Sequence, residues 1–185
     1  MKIFHLLPIT IALLTASVKF AAPLQAQTAP VRAQLPQVEW QQFCSAEGQF
    51  AIDMPGNPKI NVETFSTQIT AHTYRSILKN KDNKETYLLQ HFELDELRLS
   101  NSNIRITLHT AVDFFVVGAN AKLLQVRDIS LDGYPGKEFE FQPLSPKEPV
   151  GIGQVFLVDR RVYGLVASTQ KTENAREFLD SFRLF

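Results

Sequence analysis

The chain has 185 residues, 44% of them hydrophobic with 14 Phe, and its 19 basic residues balance 19 acidic ones. That is the length of one domain with enough apolar material for one core. An even charge without blocks of one sign argues against a nucleic-acid binder, which needs a basic face to displace counterions from phosphates.

Residues 1–26 differ from the rest. Lys2 gives a positive start, Ile3 to Val18 is nearly continuous apolar sequence, and Leu24-Gln25-Ala26 puts a small residue before a polar stretch. This is the pattern of a secretory signal peptide cleaved after Ala26. An uncleaved anchor is the alternative, but the apolar run is interrupted by Pro8 and falls short of the roughly 20 residues a span needs. No Cys closes the run, so a lipoprotein is not supported. Cleavage removes Lys2 and Lys19 and no acid, leaving a net charge of −2. The expected location is the periplasm or the extracellular space, or the thylakoid lumen of a photosynthetic source, with no stable membrane span after cleavage. Residues 27–37 (QTAPVRAQLPQ) read as a flexible linker, and residues 38–185 as a single domain.

Trp40 to Cys44 suits a strand, Glu47-Gly48 a turn, and Phe50 to Met54 a second strand that stops at Pro55-Gly56-Asn57-Pro58. Cys44 is the one cysteine, so no internal disulfide forms and the core must supply the stability. It reads as a half-buried small hydrophobe beside Phe43. Lys59 to Phe65 alternates as a strand. Thr70 to Leu78 and Glu85 to Phe92 are two longer strands around an exposed polar tip at Lys79–Lys84. Asp95 to Ser102 is polar and helix-prone in parts. Asn103 to Val117 alternates like a strand at first, but Ile104, Leu108, Ala111, Val112 and Phe115 make a longer helical stripe. It is read as a helix with Gly118 as its left-handed terminator.

Lys122 to Leu131 is a strand, Asp132 to Gly136 a tight connection, Lys137 to Phe141 a strand and Gln142 to Pro149 a loop. Val155–Val158 and Val162–Val166 form a hairpin around Asp159-Arg160-Arg161. Ala175, Phe178, Leu179 and Phe182 then mark a terminal amphipathic helix with Thr172 as N-cap. Its apolar face is expected on the Val155–Val166 hairpin. Continuous apolar runs imply strands covered on both faces. The fold class is therefore α+β: an antiparallel sheet flanked by helices, an α/β/α sandwich.

Several stretches carry a family likeness: Phe43 to Phe50 (FCSAEGQF), Met54 to Pro58 (MPGNP), Asp132 to Phe139 (DGYPGKEF) and Leu179 to Phe182 (LDSF). Their order resembles the PsbP-like superfamily, whose members include the extrinsic lumenal subunit of photosystem II, bacterial envelope proteins and a Ran-binding nuclear import factor. The resemblance spans about residues 38–185. It implies an antiparallel sheet between helices, docking on larger assemblies and no catalysis. The chain lacks the long polar insertion that follows the "GKE" strand of the photosystem subunit, and no binding residues carry over.

Three histidines lie beyond the leader: His72, His91 and His109. If the hairpin turns on Asp82-Asn83, His72 faces Glu93 and Tyr74 faces His91, all on one side of the sheet. His72, His91 and Glu93 are then candidate ligands for a divalent metal, with a half-exposed polar face as the simpler reading. A register slip of one residue would separate them. His109 reads as a surface residue. Ser181 beside Asp180 lies inside a helix, without the strained elbow of a hydrolase nucleophile, and suits core and cap roles. Asp159-Arg160-Arg161 reads as a solvated tip rather than an anion contact. Gly133, Gly136, Gly151 and Gly153 read as turn glycines rather than a phosphate loop, since no helix opens after them.

The expected function is an exported, non-enzymatic accessory domain without a cofactor, binding a protein partner in a membrane-associated assembly of the envelope or thylakoid lumen. The alternative is a small-ligand or metal-binding carrier, or an exported enzyme, with a pocket between sheet and helix.

Overall fold

A computed structural model describes residues 39–65, 69–79, 84–95, 103–145 and 148–185, all within the compact unit Gln37–Phe185. The leader and linker readings (1–26 and 27–37) lie outside the described residues, as do 96–102 and the hairpin tip at 80–83.

The strands are β1 (Trp40–Ser45), β2 (Phe50–Pro55), β3 (Lys59–Thr64), β4 (Thr70–Lys79), β5 (Lys84–Glu93), β6 (Ala121–Leu131), β7 (Tyr134–Pro143), β8 (Gly151–Val158), β9 (Arg161–Ser168) and β10 (Arg183–Leu184). Helix α1 (Ile104–Gly118) follows β5, and helix α2 (Thr172–Asp180) follows β9. Among the described residues, seven strands form an antiparallel sheet in the order β3-β4-β5-β9-β8-β7-β6, and three form a second sheet, β1-β2-β10. The α+β class, an antiparallel sheet flanked by helices, is as the sequence implies. The second sheet and β10 were not legible.

Both faces of the large sheet are buried in its middle, because β8 and β9 carry apolar residues at odd and even positions alike. Phe139, Phe141, Val155, Leu157 and Val162 face α1, whose core stripe is Leu108, Ala111, Val112, Phe115 and Val116. Tyr87, Leu89, Phe156, Tyr163 and Leu165 face the other way, toward α2 and the small sheet. There Phe178, Leu179 and Phe182 are buried as expected. The Phe182 ring lies 5.4 Å from Tyr163 and 6.0 Å from both Phe156 and Phe50, so it joins the hairpin to β2. Close approach sets where α1 sits: a Cβ at Gly164 of β9 would collide with the Phe115 ring.

Glu138, in the Gly136-Lys137-Glu138-Phe139 stretch, ties the layers together. Its buried carboxylate accepts from Arg127 (2.6 Å), Arg176 of α2 (2.7 Å) and Gln154 (3.0 Å). Burial alone would raise its pKa, but the bonds from Arg176, Gln154 and Arg127 outweigh it and bring the carboxyl down to about 2.

Several local expectations are corrected. The N-cap of α2 is Lys171, without a side-chain cap bond, and Thr172 is the first helical residue. Gly118 ends α1 inside the helix, and the left-handed residue is Asn120 (φ 48°), which carries a short polar side chain that tolerates this region. Cys44 is exposed, because its neighbour Phe43 turns inward and alternation turns Cys44 out. Only Gly133 of the four glycines lies in a turn, paired with Asp132 at positive φ (86° and 50°). Gly136, Gly151 and Gly153 lie in strands beneath aromatic rings.

Candidate functional site

Helix α1 rests chiefly on β6–β9, so the same face of the sheet over β3–β5 is left open beside it. The result is a groove in two parts. The first, about 370 Å³, is apolar: Phe92 and Val162 form its floor, Ile106, Ala111 and Phe114 of α1 one wall, and Phe65 and Ile69 the other. The second, about 620 Å³, continues over Leu88, Gln90 and Thr86 of β5 to Arg75, Lys84 and Glu148. Lys84 and Glu148 form an ion pair at 3.3 Å. Phe65 and Phe114 line both parts and meet edge to face, their centroids 6.3 Å apart. Both rings stay partly open to solvent, at 39% and 46%, and Ile106 at 63%. Apolar side chains left open together mark an interaction surface.

The sequence offers a pocket between sheet and helix as its alternative reading but assigns it no lining residues, because only the core stripe of the helix is read there. Ile106, Thr110, Phe114 and Val117 make a second, outward line at helical spacing, and this surplus of apolar residues opposite the core stripe was the available signal. Ile104, assigned to the core stripe, is half-exposed. Asn103 caps the helix by accepting from the Arg105 amide at 2.9 Å.

The histidines sit on the opposite face. The β4–β5 register pairs His72 with His91 and Tyr74 with Leu89, two residues from the expected pairing. The even shift keeps side chains on their face, so His72, His91 and Glu93 still line one depression of about 360 Å³ with Glu47, Thr70 and Arg161. The imidazoles stack, 4.9 Å between centroids and 3° from parallel. His72 lies 3.4 Å from Glu47. His91 is buried, with Nε2 3.4 Å from the Tyr74 hydroxyl, which lies 3.0 Å from Ser45 Oγ. Burial, with His72 and Arg161 nearby, pushes the His91 pKa down to about 4. Glu93 accepts from Arg161 at 2.5 Å, and this bond holds its carboxyl below the usual range. Arg161 is therefore no solvated tip residue: it opens β9 and also donates to Tyr163 at 3.3 Å. Glu93 is turned toward a cation of the chain itself. Among the described residues, no three His, Cys, Asp or Glu side chains are placed to hold a metal ion.

His109 is exposed on α1. Ser181 is the C-cap of α2, accepting from the Asp53 amide at 2.9 Å and donating to the Phe178 carbonyl at 2.8 Å. No helix among the described residues is long and apolar enough to cross a membrane.

A seven-stranded antiparallel sheet with a helix on one face, and a helix and small sheet on the other, is the PsbP-like fold. The chain is similar to the solution structure of cyanobacterial PsbP (CyanoP) from Synechocystis sp. PCC 6803, at 11% identity and a TM-score of 0.55, covering 82% of this chain and 96% of that one. It is also matched to a protein of unknown function from Pseudomonas aeruginosa at 10% identity and a TM-score of 0.37, covering 72% and 85%. The sequence matches no protein-family profile and no curated protein. At such identities the likeness is one of fold.

Proposed function

We propose that the protein is an exported, non-enzymatic accessory domain that docks on a membrane-associated protein assembly of the envelope, or of the thylakoid lumen in a photosynthetic source, through the groove beside α1. The carrying observation is the cluster of half-open apolar side chains Phe65, Ile106 and Phe114 around that groove. Covering it would remove apolar surface from water at about 25 cal/mol per Å². The secretory pattern of residues 1–26 supports export, and the fold shared with cyanobacterial PsbP supports an accessory role.

The test is affinity capture by the full chain from envelope or thylakoid membranes, with recovered proteins identified by mass spectrometry. Wild type is expected to retain a subunit of a membrane complex and Phe114→Asp to lose it at unchanged circular dichroism. Retention by the variant, or a monomeric wild type without partner, overturns the reading.

A second reading is favoured by the polarity change along the groove, from the apolar pocket at Phe92 to the charged end at Glu63, Arg75, Lys84 and Glu148. It is a carrier for a small amphipathic ligand, the tail at Phe92 and the polar head at Arg75. Saturable cis-parinaric acid fluorescence, lost in Arg75→Glu, would select it.

A further inference from the structure

Among the described residues the large sheet has two edges, β6 and β3. β6 carries an irregularity between Leu123 and Gln125, which breaks the regular row of outward amide and carbonyl groups. β3 has no break, and all six of its residues are exposed. Its pairing with β4 places Lys59 opposite Arg75 and Glu63 opposite Ala71, so neither charge meets an opposite one across the ladder. Lys59, Asn61 and Glu63 share the α1 face of the sheet, and Ile60 and Val62 the other, where they stay 58% and 53% exposed.

We propose that β3 pairs antiparallel with β3 of a second copy of this chain about a two-fold axis through Asn61, joining the two large sheets into one. Adjacent antiparallel edges related by a two-fold keep each copy's faces on the same side, so only registers that align residues of equal parity fit. Centring on Asn61 sets Lys59 against Glu63 twice on one face and Ile60 against Val62 twice on the other. Centring on Val62 sets Lys59 against Phe65, and centring on Ile60 sets it against Asn61. The strand is thus complementary to itself in charge and apolar contact in one register. Cross-strand pairs of both kinds stabilise a ladder, and like charges directly opposite weaken it. A regular exposed edge otherwise leaves its backbone groups to water.

Two measurements on the full chain test this. Sedimentation equilibrium is expected to show reversible dimers in wild type. Lys59→Glu and Glu63→Lys should each weaken the dimer by about tenfold, and an equimolar mixture of the two should recover wild-type affinity, since every pair across the axis is again opposite in charge. Lys59→Glu faces Arg75 within the fold, so unfolding in urea checks that the monomer is intact. In a Cys44→Ser background, Asn61→Cys should form a disulfide-linked dimer on diamide oxidation, because directly opposed Cα atoms lie at about 4.5–5.5 Å, within disulfide reach. Thr64→Cys, distant from its own mate, should not. A wild type monomeric at all concentrations, a dimer indifferent to charge reversal, or equal cross-linking at both positions overturns the proposal.

Discussion

Ser181 Oγ lies 2.9 Å from the amide nitrogen of Asp53 and stands where the ladder between β2 and β10 would continue. The ladder itself pairs Arg183 with Ala51 and Leu184 with Phe50. Two residues further, at Ser181, the backbone has become the C-cap of α2, and a side-chain oxygen takes the place of a carbonyl. Ser181→Ala leaves the Asp53 amide without its partner, at an expected cost of about 1–2 kcal/mol. Phe178→Ala and Phe182→Ala each empty a large buried site and should cost about 3–5 kcal/mol. Urea unfolding ranks them. A Phe182→Ala midpoint equal to wild type would show that this ring does not hold the layers together.

Acid should lower the stability of the protein in two stages. His91 has its pKa lowered from 6.5 to about 4, chiefly by burial, with His72 and Arg161 nearby. The unfolded chain therefore takes up a proton first as pH falls. Stability is full above about pH 6.5 and declines toward pH 4, by on the order of 3 kcal/mol. Glu138, lowered from 4.5 to about 2, stabilises above about pH 4.5 and loses that contribution as pH falls toward 2. Urea midpoints from pH 7 to pH 3 check both. His91→Gln should flatten the upper part of the curve and Glu138→Gln the lower, each leaving the other part in place.

Gly164→Ala tests the seat of α1. The added Cβ collides with the Phe115 ring, so the helix must shift or the ring leave its site, at about 1–3 kcal/mol. Groove capture should fall with it, since Phe114 and Phe115 are consecutive on the helix. Gly133→Ala, at a turn with open space around it, should cost only the strain of its positive φ and leave capture unchanged.

Nine of the strands, both helices and the burial of Phe178, Leu179 and Phe182 were legible, because apolar spacing of two or of three to four residues is a local property of the chain. The β10 strand was not, since two residues have no periodicity. Nor was the role of Glu138, whose donors Arg127, Gln154 and Arg176 come from three separate elements. The histidine face was half legible. Parity along the strands put His72, His91 and Glu93 on one side, while the two-residue register difference brought the rings into a stack and left Glu93 to Arg161.

The sequence by itself determined the class of fold, the order of its elements and the face of each strand, since these follow from short-range alternation and from turn residues such as Asp132-Gly133. Only the tertiary structure decided that α1 lies over β6–β9 and leaves β3–β5 bare. That placement depends on Gly164 admitting the Phe115 ring, a contact between residues 49 positions apart. The outward line of α1 marks one wall of the groove, but its floor at Phe92 and Val162 and its other wall at Phe65 come from distant parts of the chain, and only packing brings them together.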